Sequence, residues 1–123
     1  MTEDMYILIV DDNTNFTALL KLMLENEGFD VTVANNGEDG YSAYLFFEPD
    51  VVITDIQMPI KTGIELMNLI RTHNSMVRTV YMSADLAPFQ SFLKEEQEKY
   101  GVNVLQKPFS KTELMELISQ SFS

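Results

Sequence analysis

Five polar residues of three chemical kinds follow short apolar stretches of the sequence and could together carry out phosphoryl chemistry. They are three carboxylates, a hydroxyl and an ammonium, on Asp11, Asp12, Asp55, Ser83 and Lys107. Carboxylate oxygens suit Mg²⁺, and a magnesium ion with few protein ligands keeps an open position for a phosphate oxygen. A carboxylate in line with a phosphoryl group can attack phosphorus and form an acyl phosphate. A lysine and a hydroxyl can then stabilise the phosphoryl oxygens.

These five residues would make an unfavourable group without an added cation. Two carboxylates about 4–5 Å apart repel by roughly 4 kcal/mol at an effective dielectric constant of about 20. Lys107 supplies one positive charge against three negative ones. The sequence therefore predicts a divalent cation, Mg²⁺, at this place. Any one of the five is more often a turn former, a helix cap or a solvated side chain, so only their conjunction favours a site.

The elements that must position these residues alternate along the chain. Short apolar runs rich in β-branched residues predict five strands, and helical spacing between them predicts five helices. The predicted strands are Tyr6–Val10, Val31–Ala34, Val51–Thr54, Thr79–Met82 and Val102–Leu105. The first predicted helix is marked by an apolar stripe before Gly28, formed by Phe16, Leu19, Leu20, Met23 and Leu24. The next three are predicted from an N-cap at Asn36 to Phe47, over Ile64–Arg71 and over Ala87–Tyr100. The last helix begins with a capping box formed by Ser110 and Glu113.

This alternation predicts an α/β fold with a parallel sheet covered by helices on both faces. We expect the flavodoxin-like (βα)5 arrangement with strand order 2-1-3-4-5. In such a sheet the carboxyl ends of all strands face one side, and ligands bind where the strand order reverses. The five polar residues should therefore converge on one crevice.

Composition excludes several other classes of protein. The chain has 123 residues, 46% of them apolar, which favours a single domain spanning 1–123. With no cysteine it has no disulfides, thiolate metal sites or thiol nucleophiles. Its 8 basic and 19 acidic residues give a net charge of -11, which argues against direct binding of nucleic acid or of an anionic membrane surface. The acidic N-terminus does not resemble a signal peptide, and a cytoplasmic location is the default expectation.

Four segments of the sequence resemble the receiver domain of two-component response regulators. They are Ile7-Leu-Ile-Val-Asp-Asp-Asn13, Asp55-Ile-Gln-Met-Pro59 with Gly63 four residues later, Met82-Ser-Ala84, and Gln106-Lys-Pro-Phe109. The resemblance extends from about Tyr6 to Phe122, nearly the whole chain.

The resemblance implies a role for each site residue. Asp55 would be the phosphoacceptor, Asp12 a direct Mg²⁺ ligand, and Asp11 a ligand acting mostly through water. Asp55 itself and the backbone carbonyl of Gln57 would complete the protein ligands. Ser83 would move to meet the phosphoryl group and Lys107 would pair with it. The resemblance also implies that Ala84 leaves room for phosphoryl access. It further implies that the peptide bond before Pro108 is cis.

The sequence departs from the family pattern at the position three residues before the lysine. Receiver domains usually have Tyr or Phe there as a rotamer switch, and this chain has Val104. The signal would then travel through the last two strand–helix units, with Tyr81, Tyr100 or Phe109 as candidate substitutes. The fourth helix, in a slightly long segment between Ser83 and Lys107, could be extended or shifted. Its charge run, Lys94–Lys99, is interpreted as a solvated helix face.

The resemblance implies signalling partners and an activity restricted to the domain's own phosphorylation and dephosphorylation. The phosphoryl group would come from a sensor histidine kinase or a histidine phosphotransfer protein. The sequence leaves open a stand-alone regulator, a module of a longer protein with an effector domain, part of a hybrid kinase, and a homodimer through the fourth and fifth helices. None of these alternatives changes the expected site.

Three rival classes fit the residues less well. A haloacid-dehalogenase-like phosphatase would have its two aspartates two residues apart after the first strand, whereas Asp11 and Asp12 are adjacent. A flavodoxin-like redox module would need a Ser/Thr/Gly-rich loop there, and Asp11 and Asp12 would repel an FMN phosphate. A degenerate receiver used only for docking would not need the complete acidic, hydroxyl and lysine set.

Overall fold

Five parallel strands form one sheet in the order β2-β1-β3-β4-β5 in the computed structural model, which describes residues 5–121. The elements in chain order are β1 (Tyr6–Val10), α1 (Thr14–Asn26), β2 (Asp30–Ala34), α2 (Gly37–Phe47), β3 (Val51–Asp55), α3 (Gly63–Arg71), β4 (Arg78–Ser83), α4 (Gln90–Tyr100), β5 (Asn103–Gln106) and α5 (Lys111–Ser121). Between residues 5 and 121, no helix combines the length and apolar character needed to span a bilayer.

Two apolar cores lie on opposite faces of this sheet. On one face Leu8 and Val52 pack in a cluster with residues of α2, α3 and α4. On the other, Ile9 and Ile53 pack with residues of α1 and α5. Because alternate residues of a strand point to opposite faces, burial of both faces requires the nearly continuous apolar runs seen in the sequence.

The predicted fold class is confirmed, with small differences at the ends of elements. Strand pairing continues one residue further than the apolar runs, since Asp55 pairs with Met82 and Ser83 pairs with Gln106. Asp55 and Ser83 are therefore the last residues of β3 and β4 rather than the first residues after them. The fourth helix begins as a 3₁₀ turn over Ala87–Phe89 and becomes α-helical at Gln90. Phe122 lies outside the described residues.

Side-chain caps begin the helices where the sequence predicts them. The Asn36 side chain accepts a hydrogen bond of 2.8 Å from the amide of Asp39 at the start of α2. Ser110 and Glu113 form both hydrogen bonds of the predicted capping box. After α1, Gly28 adopts a φ of 96°, a left-handed conformation that glycine tolerates best.

One residue of a predicted apolar stripe faces solvent, and one prediction about a helix face is wrong. Leu19 belongs to the apolar stripe of α1 but is 54% exposed, because Leu20 and Leu24 take the face that meets the sheet. Glu96 was placed on a solvated face of α4 but is 7% exposed. Its burial is stabilised by Arg71 of α3, whose Nη1 lies 2.5 Å from the Glu96 carboxylate.

Candidate functional site

The carboxyl ends of β1, β3, β4 and β5 bring the predicted polar residues to one edge of the sheet. Asp11 and Asp12 follow β1, Asp55 and Ser83 end β3 and β4, and Lys107 follows β5. One carboxylate oxygen from each of the three aspartates lies within 4.8 Å of the other two. We term Asp11, Asp12 and Asp55, together with Lys107, the acidic edge. It lies at the reversal of strand order, where ligands bind in open α/β sheets.

The Lys107 ammonium lies between two of the three carboxylates. Its Nζ is 2.5 Å from Oδ2 of Asp11 and 3.2 Å from Oδ2 of Asp55. Nζ also lies 4.7 Å from the ring centroid of Phe16, which gives the cation an aromatic face beside the carboxylates. The peptide bond between Lys107 and Pro108 is cis, as predicted.

The charges of the acidic edge are only partly compensated. Burial raises the pKa of Asp55 above its usual value; the Lys107 charge opposes that rise and the Asp11 charge adds to it. Burial lowers the pKa of Lys107, but hydrogen bonds and charge attraction from Asp11 and Asp55 outweigh that effect and leave the pKa raised. One ammonium therefore does not offset three carboxylates.

The donors of the acidic edge fit a magnesium ion. All three are carboxylates, and Mg²⁺ is bound in proteins by a few carboxylate oxygens while it keeps several waters. Asp11 is buried at 1% exposure and Asp12 is exposed. The acidic edge is therefore a group that could hold the ion. The Gln57 amide donates to Oδ1 of Asp55 at 3.4 Å, and the role of its carbonyl as a ligand stays a prediction.

The Ser83 hydroxyl forms its hydrogen bonds with the backbone of Asp85. Its Oγ donates to the backbone carbonyl of Asp85 at 2.9 Å and accepts from the Asp85 amide at 3.2 Å. Ser83 is buried, whereas the next residue, Ala84, is exposed. The hydrogen bond that Ser83 donates to the Asp85 carbonyl would have to break before the hydroxyl could donate to a group bound to Asp55.

The start of α3 fixes the turn that follows Asp55. The Gly63 amide donates to the carbonyl of Ile56 at 2.9 Å, and a Cβ at Gly63 would collide with the carbonyl oxygen of Asp55. Thr62 and Glu65 form a capping box that begins the helix. The Thr-x-x-Glu spacing at 62–65 is the signal for this box in the sequence, beyond the helix predicted from Ile64. Glycine at 63 thus allows α3 to approach the Asp55 backbone closely.

The sequence also matches a known family over most of its length. The model of the family described as "Response regulator receiver domain" matches residues 7–119. The chain is 31% identical over 108 residues to the alkaline phosphatase synthesis transcriptional regulatory protein PhoP of Bacillus subtilis, covering 88% of this chain and 44% of that protein. It is 31% identical over 118 residues to the transcriptional regulatory protein RprY of Bacteroides fragilis, covering 93% and 48%. The chain thus spans less than half the length of these relatives.

Solved structures agree with the fold and the family. The chemotaxis protein CheY4 of Vibrio cholerae superposes with a TM-score of 0.83 at 24% identity, over 94% of this chain and 97% of that one. The response regulator TrrA of Thermotoga maritima, solved in complex with Mg²⁺–BeF, superposes with a TM-score of 0.81 at 30% identity, over 94% and 97%. The chain belongs to the response regulator receiver domain family, the signalling domains of two-component systems.

Proposed function

We propose that the domain accepts a phosphoryl group on Asp55 in a Mg²⁺-dependent reaction and switches its output surface in response. The observation that carries this proposal is the charge of the acidic edge. Three carboxylate oxygens lie within 4.8 Å of one another, with one lysine between two of them. Such a group favours a divalent cation and, with it, a phosphoryl group. The Mg²⁺–BeF complex of TrrA supports the same chemistry by analogy.

In the proposed reaction an oxygen of Asp55 attacks the phosphorus of a phosphohistidine. The new O–P bond forms as the P–N bond breaks, and the imidazole leaves with the electron pair and takes up a proton. Attack by water on phosphorus later releases inorganic phosphate and restores the Asp55 carboxylate. The domain therefore assists only its own phosphorylation and dephosphorylation and turns over no external metabolite.

Each remaining site residue has a proposed part in this reaction. Asp12 would bind Mg²⁺ directly, Asp11 mostly through water, and the Gln57 carbonyl would add a ligand. The ion, when bound, would neutralise charge on the phosphoryl oxygens. Lys107 would pair with one of those oxygens. At the end of β4, Ser83 would break its hydrogen bond to Asp85 and donate one to the phosphoryl group. Ala84 would leave room for that group.

The phosphoryl donor is proposed to be a sensor histidine kinase or a histidine phosphotransfer protein. Residues 1–123 are proposed to form one receiver domain. Several relatives are named transcriptional regulators and extend well beyond the matched region, which supports an effector domain or effector protein as the recipient of the signal. The net charge of -11 makes direct binding of DNA by the receiver itself unfavourable.

The phosphoacceptor is tested by incubating the protein with a small acyl phosphate and Mg²⁺ and measuring its intact mass. The wild type should gain one phosphoryl group, Asp55→Asn should gain none, and chelation of Mg²⁺ should abolish the gain in the wild type. Asp30→Asn is the matched control, because Asp30 is an exposed aspartate at the opposite edge of the sheet. Equal labelling of Asp55→Asn would refute the assignment.

A further inference from the structure

A buried ion pair joins α3, β4 and α4 away from the acidic edge. Arg71, the last residue of α3, donates from Nη1 to Oε1 of Glu96 at 2.5 Å, and the Tyr81 hydroxyl donates to the same oxygen at 2.9 Å. The ring centroid of Tyr100 lies 3.9 Å from the guanidinium carbon of Arg71. All three members of the hydrogen-bonded group are at most 9% exposed. We term Arg71, Glu96 and Tyr81 the Glu96 clamp.

The clamp fixes the aromatic ring that lies beside Val104. Tyr81 pairs with Val104 across β4 and β5, and its ring packs edge-on against Phe92 with centroids 5.7 Å apart. Rotation of the Tyr81 side chain would break its hydrogen bond to a buried carboxylate, and Val104 has no ring to rotate. A rearrangement around Tyr81 and Val104 would therefore come from shifts of the backbone and of α4.

The clamp is connected through β4 and α4 to Ser83, whose backbone carbonyl accepts a hydrogen bond of 2.9 Å from the amide of Lys107 in the acidic edge. Tyr81 and Ser83 are two residues apart in β4 and point to the same face of the sheet. Ser83 is hydrogen-bonded to Asp85, in the loop that leads to α4. Glu96 lies six residues beyond the first residue of α4, Gln90, which is about 9 Å along the helix axis. Release of Ser83 would therefore free the loop that leads to α4, while the clamp holds the C-terminal half of the helix.

We propose that Glu96 is a positioning residue that keeps the C-terminal half of α4 fixed when Asp55 is phosphorylated. The rearrangement is then confined to the loop at 84–89 and the first turn of α4. Separating Glu96 from its partners would leave buried charges unpaired, which is far more unfavourable than exchanging the Ser83 hydrogen bonds to Asp85. This inference rests on the proposed phosphorylation of Asp55.

Hydrogen–deuterium exchange measured by mass spectrometry on the full chain, with and without an acyl phosphate and Mg²⁺, tests the clamp. In the wild type, phosphorylation should change exchange several-fold in residues 84–93 and leave residues 96–101 unchanged. In Tyr81→Phe the phosphorylation response should extend to 96–101. We expect about a tenfold change there, because a hydrogen bond to a charged group contributes at least this factor to an equilibrium constant.

Tyr44→Phe is the matched control, because it removes a hydroxyl from another buried tyrosine, on α2. It should keep the wild-type pattern. A merely structural role for Tyr81 would change exchange in 96–101 equally with and without phosphorylation, and that result would overturn the proposal. So would a wild-type response that already reaches 96–101. Intact mass separates failure of the clamp from failure of the proposed function: a protein that takes up no phosphoryl group overturns both.

Discussion

The acidic edge and the Glu96 clamp are both clusters that contain charged side chains, but they differ in charge balance. The clamp pairs one guanidinium with one carboxylate, and a tyrosine hydroxyl adds a second hydrogen bond to that carboxylate. The acidic edge sets one ammonium against three carboxylates. A balanced buried pair can hold elements together by itself, whereas an unbalanced cluster gains stability from a ligand of opposite charge. Charge balance thus separates a structural cluster from a candidate binding site in this chain.

The largest effect should follow from removing the charge balance of the clamp. Glu96→Ala leaves the Arg71 guanidinium buried without its carboxylate, and loss of one partner of a buried pair costs about 3–5 kcal/mol of unfolding free energy. Urea unfolding monitored by circular dichroism measures this loss. The exposed neighbour in the same charge run provides the control: Glu95→Ala should change the unfolding free energy by less than about 0.5 kcal/mol. A loss of that small size in Glu96→Ala would show that the clamp is not a stabilising pair.

A smaller effect should come from supplying the charge that the acidic edge lacks. Mg²⁺ at ten times its dissociation constant should raise the unfolding free energy by about 1.4 kcal/mol, since it binds the folded state. The gain should be much reduced in Asp12→Asn and retained in Tyr81→Phe, in which the acidic edge is intact. Thermal unfolding at several Mg²⁺ concentrations measures the gain. An equal gain in Asp12→Asn would place the ion elsewhere.

The smallest effect should be the pH dependence that arises from Asp55 in the absence of Mg²⁺. Burial raises the pKa of Asp55 above the usual value of 3.8. The folded state therefore holds this proton more tightly than the unfolded state, and the resulting stabilisation is complete below pH 3.8 and is lost as the pH rises through the folded-state pKa. Asp55→Asn has no carboxyl group to titrate at this position, so this variant should not lose that stabilisation as the pH rises.

The unfolding free energies of the wild type and Asp55→Asn, measured from about pH 4 to about pH 7, test this sign. Asp55→Asn should become more stable relative to the wild type as the pH increases. A difference that shrinks with increasing pH would mean that the attraction to Lys107, rather than burial, dominates the pKa of Asp55. Glu95 is exposed and lies outside the acidic edge, so Glu95→Ala should show the wild-type pH dependence.

The acidic edge could be predicted from the sequence because its residues are tied to strand ends. A parallel sheet brings the carboxyl end of every strand to one side, so the positions of Asp11, Asp55 and Lys107 after apolar runs were enough to place them together. The clamp could not be predicted in this way. Arg71 and Glu96 lie 25 residues apart on different helices, and Glu96 stands in a charge run that is typical of a solvated surface.

The sequence by itself determined the alternation of strands and helices, the helix caps and the convergence of the acidic edge, because these depend on periodicity, local hydrogen bonding and the direction of the chain in a parallel sheet. Tertiary structure alone decided that Leu19 is exposed and that Glu96 is buried. Those outcomes depend on which side chains from distant elements share a space. Burial of a charge is acceptable only where packing supplies its partner, and Arg71 reaches Glu96 only when α3 and α4 pack on the same face of the sheet.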